Sequence, residues 1–203
     1  MQLGILGTGK VAQTLAQHWS AAGHDITFGS RKPAEAGAPG APVASLAGAV
    51  AGSDVVVNAT PGSVSLAVAQ SIGAAAFAGK VLVDVANANT PSLELVYPNS
   101  SLAEKLQAAL PAARVVKTLN TAAMSVLTEP ASLPPSSVFV SGDDAGAKAT
   151  VTSLLADLGW PDGSVVDLGP ITSARGPEHY FLMFAAIMQS LRSPAFNIRL
   201  VTP

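Results

Sequence analysis

One short segment near the N-terminus constrains the fold of this chain more strongly than any other feature. Residues 7–12 read Gly-Thr-Gly-Lys-Val-Ala, the pattern GxGxxA. The segment follows a short apolar run at residues 2–7 and opens a stretch in which apolar residues recur with helical periodicity. Residues 26–28 then read as a second strand. A strand, a helix and a strand within roughly thirty residues predict a βαβ unit of a parallel sheet.

The glycine turn has a physical reason at each position. Gly7 permits a tight turn, Gly9 lets the backbone approach a pyrophosphate without a Cβ atom in the way, and Ala12 lets the helix pack close to the sheet. The start of the helix presents free N–H groups and a partial positive charge to phosphates. A turn that serves packing alone is the alternative. The strand and helix on either side favour a dinucleotide-binding turn, formed by Gly7, Thr8, Gly9, Lys10 and Val11.

The end of the second strand indicates which dinucleotide binds. Sites specific for NAD usually place Asp or Glu there, about 20 residues after the glycines, to bind the ribose 2′-hydroxyl. This chain has Ser30, Arg31 and Lys32 instead. These side chains can donate hydrogen bonds and supply positive charge to a 2′-phosphate, which a carboxylate would repel. We therefore predict NADP(H) as the cofactor, with a solvated basic turn as the alternative.

The rest of the chain continues the alternation of strands and helices. Residues 54–59 and 80–85 predict buried strands, and residues 114–118 are a further strand-like segment. Residues 137–141 and 164–168 predict two more strands. The predicted fold class is α/β, with a doubly wound, mostly parallel sheet. The helices are predicted at residues 64–76, 101–110, 145–158 and 173–192.

We expect one dinucleotide-binding domain over residues 1–203, in which residues 170–203 form a C-terminal helical segment. Residues 32–42 are rich in Pro, Ala and Gly and predict a loop, and residues 43–52 predict a short helix. The proline-rich stretch at residues 130–135 is the best candidate for a boundary, with a simple loop as the alternative.

Two later strand ends carry small polar residues. In open α/β sheets, ligands bind outside the carboxyl ends of the strands. Ordinary turn chemistry explains any single residue here equally well. Taken together, however, the two strand ends predict contacts to the ribose and nicotinamide from Asn58, Ala59, Thr60, Pro61, Ala86 and Asn87.

Composition excludes several classes of function. Hydrophobic residues make up 49% of the 203 residues and charged residues 12%, so the chain has ample surface to bury and is not disordered. The net charge of −2 argues against a nucleic-acid partner. The chain has no Cys and three scattered His, from which we expect no metal site. It lacks a signal-peptide pattern and an apolar run near the ~20 residues that span a bilayer, so we expect a cytoplasmic protein without a membrane partner.

The sequence leaves the catalytic residues unassigned. It contains neither a G-x-S-x-G turn nor a P-loop. Three residues each allow two interpretations of their role. His179 is a proton donor or a helix-end residue, and Arg175 binds an anionic acceptor or caps a neighbouring element. Lys117 lines the cleft or snorkels at the sheet edge.

Several motifs together resemble a known family. Residues 7–12 and 29–31, the segment Val-Val-Lys-Thr-Leu-Asn-Thr at 115–121, and the segment Asp-Leu-Gly-Pro-Ile-Thr-Ser-Ala-Arg at 167–175 come in family-like order and spacing. Over nearly its whole length the chain resembles the deazaflavin (factor 420)-dependent NADP oxidoreductases. That family has relatives among the reductase domains of membrane metalloreductases and among pyrroline-5-carboxylate reductases.

The resemblance implies a Rossmann fold that binds NADPH and transfers a hydride between the nicotinamide and an acceptor. Residues 8–10 match the family's pyrophosphate turn, and Ser30 and Arg31 match its 2′-phosphate site. Asn120 departs from the histidine-containing segment of the deazaflavin-using members. The acceptor, a small molecule or a second cofactor, therefore stays open among a deazaflavin, a flavin and a small imine or carbonyl. A non-catalytic NADPH-binding module that senses redox state or scaffolds a partner is the alternative function.

The last predicted helix is too apolar to be covered by the rest of the chain. Phe181, Phe184, Met188 and Leu191 form one stripe, which neighbouring apolar residues widen. The resemblance implies a homodimer, and two-fold dimers are the commonest closed assembly. We expect this helix to form the dimer interface and to help enclose an acceptor pocket at the strand ends that hold Asn58 and Asn120.

Overall fold

The computed structural model describes residues 1–36 and 40–201. Residues 37–39, which belong to the predicted loop, and residues 202–203, at the end of the predicted C-terminal segment, lie outside the described residues. The strands are β1 (Gln2–Leu6), β2 (Asp25–Ser30), β3 (Val43–Ser45), β4 (Val55–Asn58), β5 (Val81–Asp84), β6 (Arg114–Lys117), β7 (Val138–Val140) and β8 (Val165–Asp167). The α-helices are α1 (Lys10–Ala21), α2 (Leu46–Ala51), α3 (Gly62–Ile72), α4 (Leu102–Ala109), α5 (Met124–Leu127), α6 (Ala145–Asp157) and α7 (Arg175–Leu191).

Within the described residues, six strands form a parallel sheet in the order β3-β2-β1-β4-β5-β6. This order confirms the predicted doubly wound α/β fold, since the chain moves outward from β1 in both directions. Strands β7 and β8 form a separate parallel pair, joined to β6 by one antiparallel bridge between Lys117 and Ser141. Strands β4 and β5 are buried on both faces, which explains why their sequences are continuously apolar up to their last residues.

Helices cover both faces of the sheet and divide the core in two. On one face, α1 and α6 pack against the inward side chains of the sheet, and the indole Nε1 of Trp19 donates a buried hydrogen bond of 3.0 Å to the carbonyl of Leu154. On the other face lie side chains of α2, α3 and α4, among them the fully buried Leu102 and Leu106. The carboxyl ends of the strands are left free between these layers.

Two predictions need correction or refinement. Residues 43–52 were predicted as one helix, but residues 43–45 form the edge strand β3, which pairs with β2. The helix begins at Leu46 because the hydroxyl of Ser45 caps it, accepting a hydrogen bond from the backbone N–H of Gly48. The proline-rich stretch contains a short 3₁₀ helix, Pro130–Ser132, and side chains before and after it pack into one core cluster.

The last helix, α7, is attached to the rest of the chain through its first turn. Pro177 is buried there, and the guanidinium of Arg175 donates two hydrogen bonds of 2.9 and 2.7 Å to the carboxylate of Glu104 on α4. This contact holds the pKa of Glu104 at about 2. Further along, the ring of Phe184 stacks on that of Phe196, with centroids 4.9 Å apart, and brings the C-terminal tail back onto the helix.

Beyond its first turn, α7 exposes apolar side chains. Leu182 is 44% exposed, Met183 55%, Met188 39% and Leu191 58%. The stretch from residue 181 to 191 contains no ionisable residue. In the described part of the chain, no helix combines the length and the hydropathy needed to cross a membrane.

Candidate functional site

A cleft of about 1030 Å³ opens along the carboxyl edge of the main sheet. This volume lies at the upper end of the range of roughly 300–1,000 Å³ that is usual for ligand sites. All of the residues predicted to bind the cofactor line the cleft except Asn58. They come from the ends of β1, β2, β4 and β5, which the parallel sheet brings to one edge.

The glycine turn between β1 and α1 forms one wall of the cleft. Gly7 has a φ of +108°, and a Cβ there would lie 2.9 Å from the carbonyl oxygen of Ala59. The conformation and the close approach both require glycine. Gly9 differs, because an added Cβ would meet no atom of the described chain within 4 Å. Its lack of a side chain has no internal packing reason, which fits a place kept free for a ligand's phosphates.

The end of β2 supplies positive charge at one end of the cleft. The backbone N–H of Lys32 donates a hydrogen bond of 3.1 Å to the hydroxyl of Ser30, which shapes the turn. The ammonium of Lys32 pairs with the carboxylate of Glu35 at 2.9 Å. Arg31 is exposed and forms no ion pair within the described residues. Its guanidinium therefore has no competing carboxylate among the described residues.

Asn58, the last residue of β4, is 3% exposed and supports the turn that follows this strand. The amide of Asn58 donates a hydrogen bond of 2.8 Å to Asp84 and accepts one of 2.6 Å from the hydroxyl of Thr60. Thr60 lines the cleft, so Asn58 supports the cleft wall rather than forming it. Directly after this turn, a Cβ at Gly62 would collide with the carbonyl oxygen of Asn87.

The opposite end of the cleft contains two asparagines, Asn87 and Asn120, that are joined by two hydrogen bonds. The amide of Asn87 donates a hydrogen bond of 2.8 Å to the carbonyl of Asn120, and the amide of Asn120 donates one of 2.9 Å to the side-chain oxygen of Asn87. Leu119, just before this pair, has a φ of +54°, an uncommon left-handed conformation for a leucine. Such strained backbone often occurs beside ligands.

A buried cluster of charges lies behind this end of the cleft. The ammonium of Lys117 is 2.9 Å from the carboxylate of Asp84 and 3.1 Å from that of Glu178, and it also donates a hydrogen bond to the carbonyl of Ala86. Two backbone N–H groups at the start of α4 donate to the Glu178 carboxylate at 2.8 and 3.2 Å. Burial disfavours the charge on Lys117, but the two carboxylates outweigh it and raise the pKa of Lys117 above its ordinary value.

The other candidate residues lie away from the cleft. Neither reading of Lys117 was right, since it is fully buried. Arg175 is paired with the carboxylate of Glu104 on α4. His179, near the start of α7, has its Nε2 atom 3.1 Å from the carbonyl oxygen of Ser100, which lies just before α4.

Sequence reasoning missed much of the apolar lining. Aliphatic side chains line the same cleft as the asparagine pair, and nothing in the sequence separates them from ordinary core residues. Gly62 could have been predicted from the sequence, because a glycine directly after a Thr-Pro strand end suggests a close backbone approach. The missed lining residues are Gly29, Leu46, Gly62, Val64, Val68, Val85, Leu119, Ala122 and Met124.

Sheets of this strand order bind dinucleotides where the order reverses, here between β1 and β4, and the cleft lies at that crossing. The family model for NADP oxidoreductases that depend on coenzyme F420 matches residues 2–88. A crystal structure from Arthrobacter sp. FB24, assigned as an F420-dependent NADP reductase, is 39% identical, with full coverage of both chains and a TM-score of 0.93. The fold and these matches define the class to which the chain is similar, the NADP-dependent oxidoreductases. The chain belongs to the F420-dependent NADP oxidoreductase family, as its motifs had suggested.

Two longer proteins are also similar to this chain. Metalloreductase STEAP3 of Rattus norvegicus is 31% identical over 183 residues, which cover 87% of this chain but 36% of that protein. The chain thus spans about a third of the length of this curated relative. An imine reductase of Aspergillus terreus is 23% identical, with 94% and 62% of the two chains covered and a TM-score of 0.66, a likeness of fold alone.

The open space at Gly9 leads to the first prediction. The substitution Gly9→Val places a branched side chain where the pyrophosphate is expected, so we expect NADPH binding to be lost while unfolding stays cooperative. Titration of NADPH fluorescence and thermal unfolding are the two measurements.

The matched control is Gly176→Val on α7, where an added Cβ also meets no described atom within 4 Å. This variant should bind NADPH normally. Normal NADPH affinity in Gly9→Val would show that the glycine turn does not hold the pyrophosphate.

Proposed function

We propose that this protein transfers a hydride between NADPH and a planar ring acceptor of the deazaflavin or flavin class. The observation that carries the proposal is the cleft itself, which is cationic at one end and apolar with amide groups at the other. The first end suits a phosphorylated adenosine, and the second suits two stacked rings. NADPH, when bound, supplies the hydride, and the protein supplies position and excludes water.

The assignment of the cofactor's two halves follows the chemistry of the lining. In our proposal, Arg31 and the hydroxyl of Ser30 bind the 2′-phosphate, and the glycine turn with Lys10 binds the pyrophosphate. The ribose and nicotinamide extend past the turn that holds Thr60 to the loop that contains Asn87. This direction is supported by the order in which the parallel strands present their ends along the edge.

The acceptor end supports a ring rather than a small imine or carbonyl. Across the described lining, the ionisable side chains are Lys10, Arg31 and Lys32, all at the phosphate end. An imine or carbonyl takes up a proton together with the hydride, and a nearby acid assists it. A deazaflavin or flavin instead spreads the added charge over its ring system. The flexible side chain of Met124 and the neighbouring aliphatic residues can pack against such a ring.

We also propose that the protein works as a homodimer formed through α7. The stretch from residue 181 to 191 is uncharged and apolar except for Gln189 and Ser190, so two copies can meet without repulsion. No residue of α7 lines the cleft of its own subunit among the described residues. The α7 helix of the second copy would therefore supply the missing wall over the acceptor.

The acceptor assignment can be tested by turnover. NADPH oxidation is followed with a deazaflavin, a flavin and a cyclic imine offered separately to the purified protein. We expect turnover with a ring acceptor and little with the imine. Turnover with the imine alone would overturn the ring assignment, and NADPH binding without turnover of any acceptor would favour the redox-sensing module.

The cofactor preference can be tested at Arg31. Loss of a hydrogen-bonded charge costs about 1.5–3 kcal/mol, so Arg31→Ala should weaken NADPH binding roughly 10- to 100-fold and leave NADH binding nearly unchanged. Calorimetric titration measures both affinities. Arg199→Ala, which removes an exposed arginine near the C-terminus, is the control. Equal affinity of the unmutated protein for NADPH and NADH would contradict the assignment.

The dimer can be tested at Met188. A buried, unpaired charge is costly, so Met188→Glu should be monomeric at micromolar concentration and lose most of its turnover, while NADPH binding at the distant turn persists. Light scattering and the turnover assay measure these effects. Gln70→Glu adds the same charge at an exposed position on α3 and should stay dimeric. An unmutated protein that is monomeric and still turns over would refute the proposal.

A further inference from the structure

We propose that Lys117 is a positioning residue for the nicotinamide half of the cleft, and that Glu178 on α7 holds Lys117 in place. The inference rests on the proposed function, because it concerns where NADPH binds. Neither residue lines the cleft. Both act through neighbouring backbone groups and side chains that line it.

On the cleft side, Lys117 controls two neighbouring strand ends. Its ammonium donates a hydrogen bond to the carbonyl of Ala86, which lines the cleft. It also pairs with Asp84, whose other oxygen accepts the hydrogen bond from Asn58. Asn58 in turn accepts a hydrogen bond from the hydroxyl of Thr60, which lines the cleft at the end of β4. One buried cation thus connects the two strand ends where the nicotinamide is expected.

The network has few ways to rearrange. The side chains of Lys117 and Asp84 are fully buried, and that of Glu178 is 4% exposed. A buried charge that loses a partner cannot recover the loss from water, so the ammonium has one strongly favoured position. A shift of that position must move the carbonyl of Ala86 or break its hydrogen bond.

On the far side, Glu178 belongs to the last helix. Its carboxylate contacts the ammonium with one oxygen and accepts hydrogen bonds from Leu102 and Ala103 at the start of α4. The packing of α7 on α4 and the position of Ala86 therefore depend on the same cation, the ammonium of Lys117. This gives the cleft a physical connection to the helix that forms the proposed dimer interface.

The substitution Glu178→Gln tests this connection. It leaves Lys117 paired with Asp84, so the cluster becomes neutral. The NH₂ group of the glutamine must then face either the Lys117 ammonium or a backbone N–H of α4, and each of these is itself a donor. Two ligands distinguish effects on the two halves of the cleft. NADPH contacts both halves, whereas adenosine 2′,5′-bisphosphate lacks the nicotinamide. Glu104→Gln is the matched control, because Glu104 also ties α4 to α7 but does not contact Lys117.

We expect Glu178→Gln to raise the Kd for NADPH about tenfold, a typical coupling between sites, while the Kd for the bisphosphate stays unchanged, both measured by calorimetric titration. Glu104→Gln should change neither value. If Glu178→Gln behaves like Glu104→Gln, or weakens both ligands equally, the positioning role is wrong. If the unmutated protein binds neither ligand, the proposed function itself fails.

Hydrogen exchange of the unmutated protein decides the matter if Glu178→Gln does not fold. NADPH should slow exchange at the Leu102 and Ala103 amides more than at the Ala147 amide. That amide also bonds a carboxylate at a helix start, Asp144, but lies outside the network. The bisphosphate should not produce this difference. Equal slowing at all three amides would overturn the proposal.

Discussion

The six strands of the main sheet run parallel, and every other feature of the cleft depends on this. Each strand ends at the same edge, so turns that are far apart in the chain become neighbours there. The glycine turn, the cationic end of β2 and the polar ends of β4 and β5 each contribute one part of the lining. None of these turns forms a binding surface by itself. Their combined geometry is a property of the sheet.

The buried charges behind the cleft show how the fold can hold a polar group at depth. Lys117 carries one positive charge and meets two carboxylates, an excess of negative charge that would be costly without further partners. The excess is relieved because Glu178 accepts two hydrogen bonds from the start of α4, where the helix dipole favours an anion. Every oxygen and nitrogen described in the cluster therefore has a partner.

Much of the fold followed from local patterns. The period of apolar residues separated strands from helices, and the GxGxxA segment with Ser30 and Arg31 pointed to the cleft, because turn geometry and charge are properties of a few adjacent residues. The exception at residues 43–45 is instructive. Three residues cannot establish a period, and they form a strand because β2 offers them hydrogen bonds.

What the sequence by itself determined was the alternation of strands and helices, the glycine turn and the positive charge at the end of β2. What only the tertiary structure decided was the environment of residues such as Lys117, Asn120 and Glu178. Lys117 reads as an ordinary strand-end lysine until Asp84, 33 residues before it, is brought beside it. Asn120 pairs with Asn87, and Glu178 bonds backbone groups on another helix. The physical reason is that a partner supplied by distant chain leaves no local trace in the residues that it contacts.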